Sequence, residues 1–400
     1  MFRRTRILQA VLLALLTTAC ASQQTAQTGS SPQAPVALTQ AAGGGGSTTG
    51  TAAYAAPALQ PSRSLPEIDA GRSEASARPL TGPDGKLDPD IVAFAKQVSD
   101  RRGVPQAHVL SLLQEAQYNA TAARLMSPAK TRIRRSWVTY RNRFVEPVRI
   151  RSGQAFWQEN AAVLAEVERE YGVPAAIIVA IIGVETIYGR HTGDFRVLDA
   201  LATLGFRYPD ASRPERSHMF RNQLADLIQL DYEGTLDARS MTGSFAGAMG
   251  LPQFMPGSLM RYAADGDRDG RIDLYGNNHD AIASVARFLR LHGWEPGLPV
   301  FAPVAPPPNA QALVTGGLTP TLRWDQLQAA GTRAVNSAGS TAWQQRPLGI
   351  VNLVDEPRNT VEYRVGTPNF FALTHYNRSY FYASSVADLA HELEQRVALK

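Results

Sequence analysis

The chain has a single cysteine, Cys20, in 400 residues, so no intrachain disulfide can staple the fold. It also lacks the run of about eighteen or more apolar residues that a membrane-crossing helix requires. No excess of acid is present: 40 Lys and Arg face 35 Asp and Glu, a net charge of +5. That mild basic balance suits an anionic polymer as partner. From Ala21 to Gln60 charge is missing altogether, and Ala, Gly, Ser, Thr, Gln and Pro fill the stretch, with Gly43 to Gly46 in a row. Such a composition buries too little surface to offset the entropy of ordering, so a flexible tether is expected there.

What is present begins with Arg3, Arg4 and Arg6, then the apolar run Ile7–Leu16, then Thr17, Thr18, Ala19 and Cys20. These are the charged, apolar and small-residue regions of a secretory signal. Cys20 directly after the apolar run resembles a bacterial lipoprotein signal, in which the cysteine becomes the acylated first residue. Thr17 departs from that pattern, which usually has Leu there, and Ala21 resembles outer-membrane rather than inner-membrane retention. The alternative is a leftover thiol inside a discarded signal.

The stretch around which the folded part is organised is Pro174–Gly189, PAAIIVAIIGVETIYG. Pro174 suits the first position of a helix. Ala175 to Val184 is apolar all round, the mark of a helix buried inside a domain. Near its end stands one acid, Glu185, which on a 3.6-residue repeat shares a face with Ile178, Ile181 and Ile182. A carboxyl beside isoleucines loses hydration, so its pKa is expected to rise, as a general acid requires. The competing reading is a helix-end Glu that turns outward to water or pairs with an arginine.

Around this helix the periodicity predicts further helices over Asp88–Asp100, from Val104-Pro105 onward, and over Phe156–Tyr171, Met219–Leu230, Ala281–His292, Thr321–Ala330 and Ser384–Leu399. Leu348–Leu353 and Glu362–Val365 alternate as strands. Between Arg124 and Arg151 stand nine Lys or Arg, Arg149 among them, against Glu146 alone, with Trp137, Tyr140 and Phe144 interleaved. That pattern fits nucleic acid, but a secretory signal removes the chain from it. Solvated faces or an anionic glycan or peptide remain. Gly243 to Ser258, GSFAGAMGLPQFMPGS, cannot be helical throughout. Its glycines allow close approach of backbone to a ligand, and Ser244, Gln253 and free amides offer hydrogen bonds of the kind sugar hydroxyls need. Asp265-x-Asp267-x-Asp269-Gly270 matches the first half of a calcium loop, with the Arg271 carbonyl next and Ile272 packing inward. Gly276 occupies the place of the closing Glu, and Asp280 is the candidate to complete the ring. A polar Asp/Gly turn is the alternative.

Together, Ile181–Gly189, Asp199–Phe206 (DALATLGF), Gly243–Pro256 and Tyr376–Ala383 (YNRSYFYA) resemble the membrane-bound lytic murein transglycosylase B family of bacterial cell-wall enzymes. The likeness runs from about Leu87 to the C-terminus. It implies a mainly α (α+β), lysozyme-like fold with a deep glycan-binding groove and a small EF-hand-like loop subdomain. The implied division is a lipoprotein signal peptide over 1–19, the tether over 20–86 and a catalytic region over 87–400. Within the last, 87–155 is an N-terminal helical part, 156–300 a core with the metal loop, and 301–400 a part completing the groove.

The resemblance also implies that Glu185 is the catalytic acid and that Tyr140, Arg216, Ser244, Gln253, Tyr376 and Tyr382 contact substrate, with Ser244 expected to hold the N-acetyl group and Gln253 the acid. Asp265, Asp267, Asp269, Arg271 and Asp280 fall on its metal site, which would hold Ca2+ as a structural ion, with no cofactor for catalysis. The implied partners are peptidoglycan strands and, through Cys20, a membrane, with no nucleic acid. The implied place is the periplasm, anchored to the inner leaflet of the outer membrane. Three departures stand out. Glu215 replaces a second arginine beside Arg216, Phe288 stands where a tyrosine is usual, and one extra residue precedes Asp280. Most glycosidases use two carboxylates; the motifs here offer Glu185 alone, so the sugar itself is expected to supply the nucleophile. A muramidase that uses water, a silent murein-binding lipoprotein and a calcium-dependent scaffold are the alternatives.

Overall fold

A computed structural model describes residues 59–398, apart from 62, 64, 130 and 336–339. Cys20, the signal and most of the expected tether therefore lie outside the described residues. Packing begins well before Leu87, however. Ile68 is fully buried and Leu80 nearly so. The Ile68 amide donates to Asn222 Oδ1 at 2.8 Å and that of Ala70 to Gln97 Oε1 at 2.6 Å. The expectation of a loose chain up to residue 86 is corrected here: isolated apolar residues in a polar stretch carry no periodicity, yet each finds a core pocket.

Fourteen α-helices dominate the described chain. The first four are α1 (Pro89–Arg102), α2 (Gln106–Glu115), α3 (Ala120–Met126) and α4 (Trp137–Phe144). Next come α5 (Pro147–Glu159), α6 (Ala161–Tyr171) and α7 (Ala175–Thr186). The expected single helix over Phe156–Tyr171 is thus two, broken at Asn160, whose side chain bonds back to the Phe156 carbonyl at 2.8 Å. A short polar side chain that competes for backbone groups is a helix breaker for this reason. After them come α8 (Val197–Phe206), α9 (Pro214–Tyr232), α10 (Pro256–Tyr262), α11 (Asn278–Leu291), α12 (Trp324–Ala329), α13 (Pro368–Tyr376) and α14 (Tyr380–Ala398).

Strands are few. β1 (Phe195–Arg196) pairs antiparallel with β2 (Thr242–Gly243), and β3 (Val304–Ala305) with β4 (Arg333–Ala334). The two strands predicted near the C-terminus form one antiparallel hairpin, β5 (Gly349–Asp355) with β6 (Thr360–Gly366), in a register that sets Asn352 opposite Tyr363.

Helix α7 is the axis of this arrangement. Every residue in it except Glu185 is buried, and α5, α6, α11 and α14 pack around it. Isoleucine and valine are modest helix formers, so burial rather than propensity holds α7: each fully buried aliphatic side chain contributes roughly 1.5–3 kcal/mol. Pro174 proves to be the N-cap, one residue before the first helical position. A smaller second cluster, with Leu327, Trp343, Leu348, Ile350 and Val365 at its centre, lies under the β5–β6 hairpin, apart from the main core.

Candidate active site

Glu185 is the polar break in an apolar rod. Its helical neighbours Ile178, Ile181 and Ile182 are fully buried, as the periodicity predicts. Glu185 is half-buried and closely surrounded by protein. Burial drives its pKa up to about 7, and the Tyr382 hydroxyl, which favours the ionised form, pulls against it. Tyr382 donates that hydroxyl to Glu185 Oε1 at 2.6 Å. Among the described residues no second carboxylate acts on Glu185.

Tyr382, on the first turn of α14, is fully buried and stacks with Tyr376 at 6.2 Å between ring centroids and 13° between planes. Both phenols are pushed well above their usual pKa, mainly by burial and further by the Glu185 charge. They stay neutral donors beside the acid. Tyr376 in turn meets Phe288 at 4.8 Å and Phe254 at 6.0 Å. Tyr140, from α4, lies 5.5 Å from Phe381 and is close enough to influence the Tyr382 hydroxyl. Helices α4, α11, α13 and α14 thus build one aromatic wall beside Glu185. It continues through Phe288 to His292, stacked at 4.0 Å. Beyond His292 opens a pocket of about 260 Å³, lined in part by Glu295, Leu318, Phe371 and His375.

The other flank is the glycine-rich loop. Thr186 Oγ1, one residue after the acid, donates to the Leu251 carbonyl at 3.0 Å, and Tyr376 Oη donates to that of Pro252 at 2.7 Å. Gly193 and Gly243 let two backbones touch, since a Cβ on Gly193 would lie 2.1 Å from the Gly243 carbonyl oxygen. Ser244 is buried, and its Oγ accepts from the amides of Ala248 at 3.0 Å and Ala246 at 3.3 Å. Gln253 adopts a left-handed φ of 52°. Its side-chain nitrogen donates to the carbonyls of Gly250 at 3.0 Å and Thr192 at 3.1 Å. The amide nitrogen is therefore committed to one carbonyl of the loop and one of the turn after α7, and not to Glu185.

Arg216 stands on the first turn of α9 and is not among the contacts of Glu185. It donates to Tyr208 Oη at 3.3 Å and to Met126 Sδ at 3.7 Å, with its guanidinium 5.8 Å from the centre of the Phe220 ring. Glu215 pairs with Arg213 at 2.5 Å.

In the aspartate loop, Asp265, Asp267 and Asp269 each offer a carboxylate oxygen within 4.8 Å of the others. Asp265 also accepts the Gly270 amide at 2.9 Å and Asp269 that of Arg271 at 2.8 Å. Ile272 packs against the core, as expected. Asp280 is different. It is fully buried and accepts the amides of Gly266 and Asp273, both at 2.7 Å. Asp280 braces the loop from beneath, outside the trio. The hard oxygen donors of the trio fit a calcium-sized cation.

Sequence reasoning placed Tyr382 on substrate and missed its bond to Glu185, which spans 197 positions. Thr186 and Tyr188 lie within Ile181–Gly189, where local sequence carries no signal of their tertiary contacts. The basic stretch was only in part a solvated face: Arg149 is buried, whereas Arg132 and Arg135 both reach Glu356, at 2.7 Å and 3.2 Å.

A helix-rich domain that carries a half-buried acid of raised pKa at the end of its central buried helix is of the lysozyme-like class. Residues 86–391 match the family described as the transglycosylase SLT domain, and the chain belongs to that family. The membrane-bound lytic murein transglycosylase B of Escherichia coli (strain K12) is 35% identical over 331 residues, 80% of this chain and 85% of that protein. The soluble lytic transglycosylase SltB1 of Pseudomonas aeruginosa superposes with a TM-score of 0.69 at 38% identity, covering 78% of this chain and all of that one. SltB3 of the same organism, solved with NAG-anhNAM-pentapeptide, gives 0.64 at 30% identity, covering 76% of this chain and 78% of that one.

Proposed function

We infer that this chain is a peptidoglycan lytic transglycosylase in which Glu185 acts first as acid and then as base. The observation that carries the reading is a carboxyl held near half-protonation at neutral pH by burial, with no second carboxylate acting on it among the described residues. A group of that pKa gives and retakes a proton with little penalty.

Protonated Glu185 donates to the glycosidic oxygen between N-acetylmuramic acid and N-acetylglucosamine. The C1–O4 bond breaks, and the N-acetyl oxygen of the muramic residue shields the cation at C1. Glu185, now a carboxylate, takes the proton of the C6 hydroxyl as O6 bonds to C1 and closes the 1,6-anhydro ring. The proton that leaves with O4 is replaced by the one taken from O6, and water enters nowhere. Tyr382 steadies the carboxylate between the two transfers. Tyr376 and Tyr140 offer ring faces to sugars. Ser244 is assigned to the N-acetyl group and Gln253 to substrate, through its carbonyl oxygen, since its nitrogen is engaged. Arg216 is assigned to the more distant anionic peptide stem.

SltB3 is solved with NAG-anhNAM-pentapeptide and with NAG-NAM-pentapeptide, and an anhydro sugar is the end that ring closure by O6 would leave. The aspartate trio holds Ca2+ as a structural ion, with the Arg271 carbonyl as a further ligand and Asp280 as the brace. Acylated Cys20 anchors the chain in the periplasm, to the inner leaflet of the outer membrane. Among the described residues no helix is long and apolar enough to cross a membrane. Glu185→Gln is expected to abolish release of anhydro-muropeptides from purified sacculi while sacculus binding persists. Undiminished release by that variant would defeat the assignment.

A further inference from the structure

Directly after Glu185 and Thr186 the chain leaves α7 by an unusual route. Ile187 is left-handed at φ 51° and ψ 53°, and Tyr188 follows at φ 57°. A β-branched residue in this region is a true outlier, and two non-glycine residues in succession compound the strain. Such strain persists only where the surroundings over-determine it, and it gathers at functional sites.

Two devices hold it. The first is a slot for the Tyr188 side chain. A Cβ on Gly153 would lie 2.3 Å from Tyr188 Oη, and one on Gly183 would lie 2.4 Å from it. Glycine at both positions, on α5 and α7, is what lets the phenol enter. The ring also packs on Phe156 at 5.3 Å. The second is Arg149, whose guanidinium is buried on α5. Its Nε donates to the Gly183 carbonyl at 2.7 Å, and Nη1 to that of Arg143 at 2.6 Å. Glu146 supplies a carboxylate at 3.5 Å. Nη1 also reaches the Phe144 carbonyl at 3.4 Å. Desolvating a cation is costly, so its placement on three backbone carbonyls and one acid needs a reason. The Gly183 carbonyl supplies one. It stands two residues before Glu185 and also accepts the amide of Ile187, the first strained residue, at 3.2 Å.

We propose that Arg149 and Tyr188 are positioning residues: with Gly153 and Gly183 they lock the left-handed turn after α7 and so hold the Glu185 carboxyl against Tyr382. Neither touches substrate; both act through the backbone that carries the acid. A carboxyl that moves by a fraction of its own length loses the line to the glycosidic oxygen, and misplacement of about 1 Å costs on the order of a hundredfold in rate. The inference rests on Glu185 being the acid.

The test compares Arg149→Met, Gly153→Ala and the double variant Gly153→Ala with Tyr188→Phe, on soluble glycan strands across pH, with a thermal melt for each. Both single variants are expected to lose about tenfold or more in kcat with KM little changed. The basic limb of the kcat profile should move to lower pH, because a loosened Glu185 gains water. The double variant should recover part of the loss, since removing the hydroxyl makes room for the new methyl. Should Arg149→Met fail to fold, Arg149→Lys, which keeps the charge and a donor, is expected to show a smaller loss with the limb still displaced. Folded variants with lowered melting temperature but unaltered kcat and pH limb would reduce the lock to packing and overturn the proposal. Full activity of Glu185→Gln, measured in parallel, would instead overturn the assignment of the acid.

Discussion

At the scale of single residues, one hydrogen bond and one desolvated carboxyl set the chemistry. Burial raises the pKa of Glu185 to about 7, so the first proton transfer is available below that pH and is lost as pH rises through it. Tyr382 stabilises the ionised form, so Tyr382→Phe should push this pKa further up. The basic limb of the rate profile is then expected at higher pH than in the parent, even though the maximal rate falls. A limb that stayed in place would show the hydroxyl to be irrelevant to the acid. The same shift has a thermodynamic consequence. Between an unfolded pKa near 4.5 and a folded value of about 7, the native state binds the extra proton, so stability declines as pH rises across that window. Glu185→Gln should match the parent in stability at low pH and exceed it above pH 7, by on the order of 3 kcal/mol at most. Denaturant titrations at both ends of the window check this.

At the scale of elements, what was legible in the sequence depended on how local the cause was. The apolar rod of α7, the β5–β6 hairpin and the non-helical loop from Gly243 to Met255 follow from periodicity and glycine content within a dozen residues. The pairing of Glu185 with Tyr382 does not, because α14 returns to α7 only through the packing of the whole domain. The break at Asn160 and the burial of Arg149 escaped for a related reason. A polar residue reads as surface until its partner carbonyls, set by tertiary contacts, come into view. Asp280 was legible as part of the aspartate loop, but its oxygens serve the amides of Gly266 and Asp273. For this element the expectation is that Ca2+ raises the melting temperature by a few degrees, through mass action on the folded form. Asp265→Asn combined with Asp267→Asn should erase that rise and leave catalysis largely intact. Calorimetry with and without chelator reads it; a parent melt indifferent to Ca2+ would reduce the trio to a polar turn.

At the scale of the whole molecule, the parts divide the work by position in the chain. The N-terminal strap around Ile68 and Leu80 closes over α1 and α9, helices α5, α6, α11 and α14 enclose α7, and the hairpin with its own small core flanks α4. On the proposed reading, the residues before 59 serve to anchor this body near its polymer. Cys20→Ala is accordingly expected to free the protein from the membrane fraction with its rate on isolated sacculi unchanged. Acyl-chain labelling that persists in the variant would contradict the anchor. The central claim concerns what replaces water at C1 once the aglycone departs, and digestion of sacculi in heavy-oxygen water reads it directly. The account predicts muramyl ends in the anhydro form, lighter by one water than hydrolysed ends and free of the heavy isotope. Reducing ends carrying heavy oxygen at C1 would contradict it.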